Sequence, residues 1–249
     1  MEATANPSVL RLSSFAAFGL LLLLCALTLF SGVSQQWFES VHAPQVYSEA
    51  LQRDAGWLRV IIVLDDLFIA AYVSATVALA AYLARGRWTV WQLLIVAGGV
   101  SAGVLDLQEN HHLLTLLRVA NEGLALPLAE VVQRSWLSQL KWLLGHVTFV
   151  LVGISLPDRG PFTRMLRVSL IAWQLPIGAL TWAVDEGFWQ TTLLWLRYGS
   201  FLAGFLAMPW LPSAGLRASL QGSQASQPTE VNRRDAQIGS DVTSGDHRL

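Results

Sequence analysis

"TVWQLLIVAGGVSAGVLDLQENHHL", residues 89–113, decides how the rest of the chain is read. Thr89 to Leu105 contains no ionisable side chain; then Asp106, Glu109, Asn110, His111 and His112 arrive within one short stretch. About 20 mostly apolar residues, rising about 1.5 Å each, cross the hydrocarbon of a bilayer. The stretch therefore reads as a membrane-spanning helix that carries polar groups into the membrane. The composition agrees: 53% of residues are hydrophobic and 13% charged, and the mean hydropathy is +0.47.

Five further segments have the same character: 13–33, 57–84, 136–156, 163–184 and 190–211. The expected fold is all-α, a polytopic membrane helix bundle of six transmembrane helices within residues 1–212. From residue 213 onward the chain is rich in Ser, Gln, Gly and charge and has no aromatic residue. Such a segment buries too little apolar surface to offset its ordering entropy, so 213–249 is expected to be a disordered cytoplasmic tail. The apolar stretch Phe15–Phe30 is longer than the core of a usual signal peptide, which favours a retained first span.

Arginine placement orients the spans. With the N-terminus inside, the inner side receives Arg11, Arg85, Arg87, Arg159, Arg164, Arg167 and Arg217; the outer loops hold Arg53, Arg118 and Arg134. The expected topology is N-in/C-in, in the cytoplasmic (inner) membrane of a bacterium. The near-absence of lysine (Lys141 is the only one) suits a GC-rich genome. The longest loop, 34–56, carries Trp37, Phe38 and Tyr47 and is expected to hold an interfacial helix. The expected surrounding partner is the lipid bilayer; a net charge of −1 gives no signal for nucleic acid. Cys25 is the sole cysteine, so neither an intrachain disulfide nor a Cys-based metal motif is available, and no cofactor is expected.

Ionisable side chains inside a membrane are costly and tend to face the bundle interior, pair with one another and mark a functional path. Here they come from four spans: Asp65 and Asp66; Asp106 and Glu109, with Asn110; Lys141 and His146; and Arg197. Counted from the outer ends of the spans, Asp65, Asp66, Asp106, Lys141, His146 and Arg197 lie roughly 8–15 Å deep at about 1.5 Å per residue, which places them in one leaflet. Residues three and four apart share a helix face. Asp106, Glu109 and Asn110 thus project together above Gly99, Ala102 and Gly103, a small stripe that permits close helix contact. Ser138, Lys141, Gly145, Thr148, Val152 and Ser155 form a second stripe, and Asp65 aligns with Ile69, Tyr72 and Thr76. His146 falls well off the Lys141 stripe.

Up to four carboxylates against Lys141 and Arg197 leave an excess of negative charge, which protons relieve in a low dielectric. The expectation is a polar cavity that opens outward and binds a small solute or moves protons, with the acids as ligands or carriers and Lys141 as counter-ion. Two other classes compete. One is a membrane-embedded hydrolase or metal enzyme built on Glu109 and His112, a Glu-x-x-His pair of the kind used in carboxylate di-metal bundles. The other is a non-catalytic scaffold in which Lys141 pairs Asp106 or Asp65, Arg197 pairs Asp66, and the charges only specify helix packing. Pro176 is expected to kink the fifth span, with Gln174 satisfying the freed backbone.

Overall fold

The computed structural model describes residues 6–158, 160–184 and 187–211. The expected tail, 213–249, lies outside the described residues, as does Arg159. Six α-helices follow in chain order: α1 Pro7–Ser31, α2 Pro44–Ala84, α3 Val90–Asn121, α4 Leu128–Ser155, α5 Pro161–Ala183 and α6 Phe188–Ala207. Short 3₁₀ turns occupy Gln35–Glu39 and Met208–Trp210, and no strand occurs among the described residues. Four helices, α1 to α4, are long and apolar enough to cross a membrane. The other two span 23 and 20 residues, but polar groups such as Gln174 and Arg197 lower their apolar character.

Local chemistry sets the helix ends. Pro7, Pro44 and Pro161 stand at the first helical turn, where a missing N–H costs nothing. The Asn6 side chain caps α1 by accepting from the Ser8 amide at 3.0 Å. Thr89 and Gln92 form a reciprocal capping box at the start of α3. Gly32, at φ 68°, ends α1 with its amide donating to the Thr28 carbonyl, in the left-handed conformation that glycine adopts without strain.

Each helix packs on the next in chain order and α6 packs back on α1, so the six close into a ring. We call the end with the α1–α2, α3–α4 and α5–α6 connections the upper end. Leucine and other large apolar side chains are exposed on the outside of all six helices, among them Leu22, Val63, Leu94, Leu143, Leu180 and Leu196. Two apolar cores fill the ring. The lower one gathers Leu10, Ala17, Leu79, Ile95, Val152, Phe205 and Leu211. The upper one gathers Phe38, Tyr47, Leu51, Leu58, Leu113, Leu117 and Val131. Helix α2, at 41 residues, is about 60 Å long, twice the thickness of a hydrocarbon core.

This upper extension corrects the loop reading. The segment 44–56 is no separate interfacial helix: it is the first three turns of α2, and Gln52 donates across to the Ala120 carbonyl at the top of α3. The residues before it do not lie flat either. The 3₁₀ turn Gln35–Glu39 folds in over the ring, with Phe38 and Glu39 buried.

The small stripe on α3 works as its spacing suggests. A Cβ on Gly99 would sit 2.6 Å from Thr76 Cγ2, and one on Gly103 would sit 2.5 Å from Val73 Cγ2, so α2 and α3 approach at van der Waals distance. Helix α5 runs on as one helix through Pro176. Gln174 does not turn back to its own backbone: its Oε1 lies 3.2 Å from His146 Nδ1 and its amide donates to Ser200 Oγ at 3.5 Å.

Candidate functional site

Between the two cores lies a layer of polar side chains, and Lys141 is at its centre. Helix α4 presents Arg134, Ser138 and Lys141 on one face at spacings of four and three. Helix α3 presents Asp106, Glu109 and Asn110 opposite. Lys141 Nζ ion-pairs with Glu109 Oε2 at 2.7 Å, Asp106 Oδ1 at 2.9 Å and Glu39 Oε1 at 3.2 Å. All four side chains are buried. An ammonium has three protons, and here each can meet one carboxylate.

Glu109, fully buried, is held on every side. Its Oε1 accepts from Ser138 Oγ at 2.8 Å and pairs with Arg134 Nη2 at 3.1 Å. Arg134, also 0% exposed, donates in addition to the Glu109 carbonyl at 2.6 Å and the Phe38 carbonyl at 2.9 Å. Arg134 thereby ties the 3₁₀ turn to α3.

The second-span acids meet the cluster through an amide. Asn110 Nδ2 donates to Asp65 Oδ2 and to Asp66 Oδ1, both at 2.9 Å, and Asn110 Oδ1 accepts from Gln35. Tyr72 Oη donates to Asp106 Oδ2 at 3.3 Å. Among the described residues no Lys, Arg or His ion-pairs with Asp65 or Asp66.

On the other side the chain of contacts runs through the 3₁₀ turn. Glu39 Oε2 accepts from Trp142 Nε1 at 2.9 Å and from the Gln36 amide. Gln36 Oε1 in turn accepts from Arg197 and, at 3.1 Å, from Tyr198. The Arg197 guanidinium lies over the Trp142 ring, 3.5 Å from its centroid, a cation–π arrangement. Burial pushes the Glu39 carboxyl up, but Lys141, Arg197, the Trp142 N–H and Arg134 outweigh it and hold Glu39 below the ordinary carboxylate range.

The structure thus brings together Asp65, Asp66, Asp106, Glu109, Asn110 and Lys141. Three expectations are corrected. Arg197 does not pair with Asp66; it bonds to Gln36 and stacks on Trp142. His146 stands outside the acid cluster. Five residues beyond Lys141, it is rotated by about 140° and packs against α5, its ring close enough to Gly178 that a Cβ there would collide. His112 does not join Glu109: its Nε2 lies 3.0 Å from Glu130 Oε2, whereas both Glu109 oxygens are taken by Lys141, Arg134 and Ser138. No three His, Cys, Asp or Glu side chains come together as a metal site among the described residues.

Arg134, Gln35, Gln36 and Trp142 escaped the sequence reading, and Glu39 entered it only as part of a Glu-x-x-His pair with His42, not as a partner of Lys141. Glu39 and the two glutamines sit in a turn with no periodicity. For Arg134 a signal existed: it lies seven residues before Lys141 and four before Ser138, on the same stripe once the helix is begun at Leu128.

A cavity of about 270 Å³ opens beside the cluster, with Asp65, Asp106, Lys141, Glu39, Gln35 and Gln36 on its polar wall and Leu24, Leu194 and Trp195 among its apolar lining. Below it a drier pocket of about 80 Å³ continues past Thr76, Gly99, Ala102, Gly145 and Thr148. No family model, no curated protein and no solved structure matches the chain.

Proposed function

We propose that the chain is a six-span protein of a bacterial cytoplasmic membrane, both ends inside, whose upper cavity is a proton-linked binding site for a small solute taken from the outer side. Closure of the ring supports the six spans: α5 and α6 complete it, expose apolar side chains outward as the other four do, and at 23 and 20 residues match a hydrocarbon core of about 30 Å. Arg85, Arg87, Arg164 and Arg167 all lie at the lower end, which supports its cytoplasmic placement. Impermeant maleimide on intact cells tests the topology in a Cys25→Ser background. Glu122→Cys and Phe188→Cys should label and Arg87→Cys should not; protection of Phe188→Cys would reduce the span count.

The observation that carries the binding reading is the contrast between Glu109 and Asp65. Glu109 is locked between two cations and a hydroxyl and is out of the cavity. Asp65 faces the cavity with only a neutral amide as partner. A carboxylate on a cavity wall without its own cation can exchange a proton for the positive group of a ligand. Asp106 and Lys141, beside it, supply the neighbouring charge. For the Glu109 half of the cluster a scaffold reading is better supported, because its charges pair with one another.

The test is proteoliposomes loaded with a pH-sensitive dye and challenged with small amines and amino acids. At least one compound should drive proton movement in the wild-type protein, Asp65→Asn should abolish it, and Glu122→Gln should leave it intact. Silence across the panel, or movement that survives Asp65→Asn, refutes the reading.

A further inference from the structure

The pocket beneath the polar layer adjoins the Asp65 cavity: Leu21, Phe68, Asp106, Lys141, Trp142 and Tyr198 line both spaces. The lower one offers a ligand different chemistry. The hydroxyl and indole donors on its wall are spent elsewhere. Tyr72 donates to Asp106, Tyr198 to Gln36 and Trp142 to Glu39. Thr76 and Thr148 donate to the Tyr72 and Leu144 carbonyls of their own helices. Lys141 and Asp106 pair with each other at the upper rim. The rest of the wall is hydrocarbon and ring, with Phe149, Phe201 and Phe205 at its base. An apolar space of this kind stays dry and accepts an apolar group.

A glycine keeps the space open. Gly145 follows Lys141 by four residues, on the same inward face of α4, and lines the pocket. A Cβ built on it would meet no atom within 4 Å. Gly99, on the same wall, is different: its Cβ would strike Thr76, so the contact of α2 with α3 requires it. No neighbour requires Gly145, and glycine inside a helix is destabilising relative to alanine. The dimensions define what fits. About 150 Å³ accommodates a six-carbon ring, so a pocket of about 80 Å³ takes about three carbons. On α2, Asp65 stands seven residues, about 10 Å, above Tyr72, which lines the lower pocket and not the upper one. An extended chain advances about 1.2 Å per bond, so about eight bonds join an ammonium at Asp65 to a tail in the pocket.

We propose that the solute held at Asp65 is an aliphatic amine whose cationic head sits in the upper cavity and whose last carbons fill the pocket beside Gly145. The inference rests on the binding reading of the upper cavity and names the ligand class of that site. Each CH₂ buried in the pocket should tighten binding about fourfold, and three of them about sixtyfold.

The test uses the full chain in lipid nanodiscs, titrated with butylamine or octylamine, with thermal unfolding followed by tryptophan fluorescence. A ligand bound by the folded state raises the midpoint saturably, and the half-saturating concentration is compared between variants at equal lipid, so that partition of the amine into the bilayer cancels. Gly145→Leu fills the pocket. It should raise the half-saturating concentration of octylamine about sixtyfold and leave that of butylamine, too short to reach, within about twofold. If Gly145→Leu fails to fold, Phe149→Ala, which opens the pocket toward the smaller space that Phe149 also lines, should make decylamine bind more tightly than octylamine; an unchanged preference overturns the inference. The two readings fail differently. No butylamine shift in the wild-type protein, or one that survives Asp65→Asn, removes the upper site and this inference with it. A butylamine shift abolished by Asp65→Asn, with Gly145→Leu weakening both amines alike or neither, overturns the tail pocket alone.

Discussion

Replacing Lys141 with methionine tests whether the ion pairs hold the ring together. Lys141 Nζ sits 2.7, 2.9 and 3.2 Å from three carboxylates. At an effective dielectric of about 20, each contact at that range is worth roughly 5–6 kcal/mol of gross attraction. Two terms oppose this: the three acids repel one another around the same nitrogen, and the ammonium gives up hydration worth several kcal/mol. Methionine keeps most of the apolar stem but leaves Glu39, Asp106 and Glu109 without their shared cation. Removing one partner of a buried pair costs about 3–5 kcal/mol, and Lys141→Met should fall in that range or beyond it. The assay is thermal or denaturant unfolding in detergent, read through Cys25 reactivity. The double variant Lys141→Met/Asp106→Asn should recover at least about 1 kcal/mol, because it relieves like-charge repulsion where no cation is left. A loss below about 1 kcal/mol, or a double variant weaker than the single, would refute the idea that Lys141 is the hub of the layer.

Glu39 makes a pH prediction. Its folded-state value lies below the ordinary 4.5, so the stability it contributes is fully present above that pH and is lost as pH falls through the folded value. The midpoint difference between wild type and Glu39→Gln should be largest near neutrality and shrink as the solution is made acidic; a constant difference would contradict the assignment. Gly99→Ala should lose about 1–3 kcal/mol, since its Cβ would meet Thr76 Cγ2 at 2.6 Å and Thr76 Cβ at 3.2 Å and a β-branched side chain in a helix has little freedom to move. Gly19→Ala, with nothing within 4 Å of the new carbon, should be neutral or gain up to about 1 kcal/mol by helix propensity; equal losses at both positions would rule out close packing as the cause.

The helical class and the presence of a polar layer are legible in the chain, because both rest on local signals: long apolar runs and charges at spacings of three and four. What the runs hide is where helices end. Gln52, Arg53 and Asp54 look like loop on hydropathy, yet they ride on α2 because the other face of the same turns, Tyr47, Leu51 and Leu58, is buried in the upper core. The same misjudged end hid Arg134, whose position above Ser138 appears only when α4 begins at Leu128. Glu39 was beyond reach for a different reason. It lies 102 residues from Lys141, in a turn whose placement depends on Phe38 and Tyr47 packing together, with Tyr47 Oη donating to the Phe38 carbonyl at 2.9 Å. Pairings across the ring, such as Arg197 with Gln36 in place of Asp66, follow from the order of helices around it and not from depth alone.

That 3₁₀ turn changes how the polar layer is understood. Four helices contribute charges, and the turn bonds to three of them: Gln35 reaches Asn110 on α3, Gln36 reaches Arg197 and Tyr198 on α6, the Phe38 carbonyl takes Arg134 on α4, and Glu39 takes Lys141 and Trp142 on α4. Consecutive residues of one turn thus knit the acid side of the ring to its arginine side, and Gln36 and Ser34 line the Asp65 cavity. Lys141 satisfies three acids only while Glu39 is delivered from above. A ligand cation that drew Asp65 or Asp106 away from its present partners would change the balance at Lys141, and through Glu39 and Gln36 the change would reach Arg197.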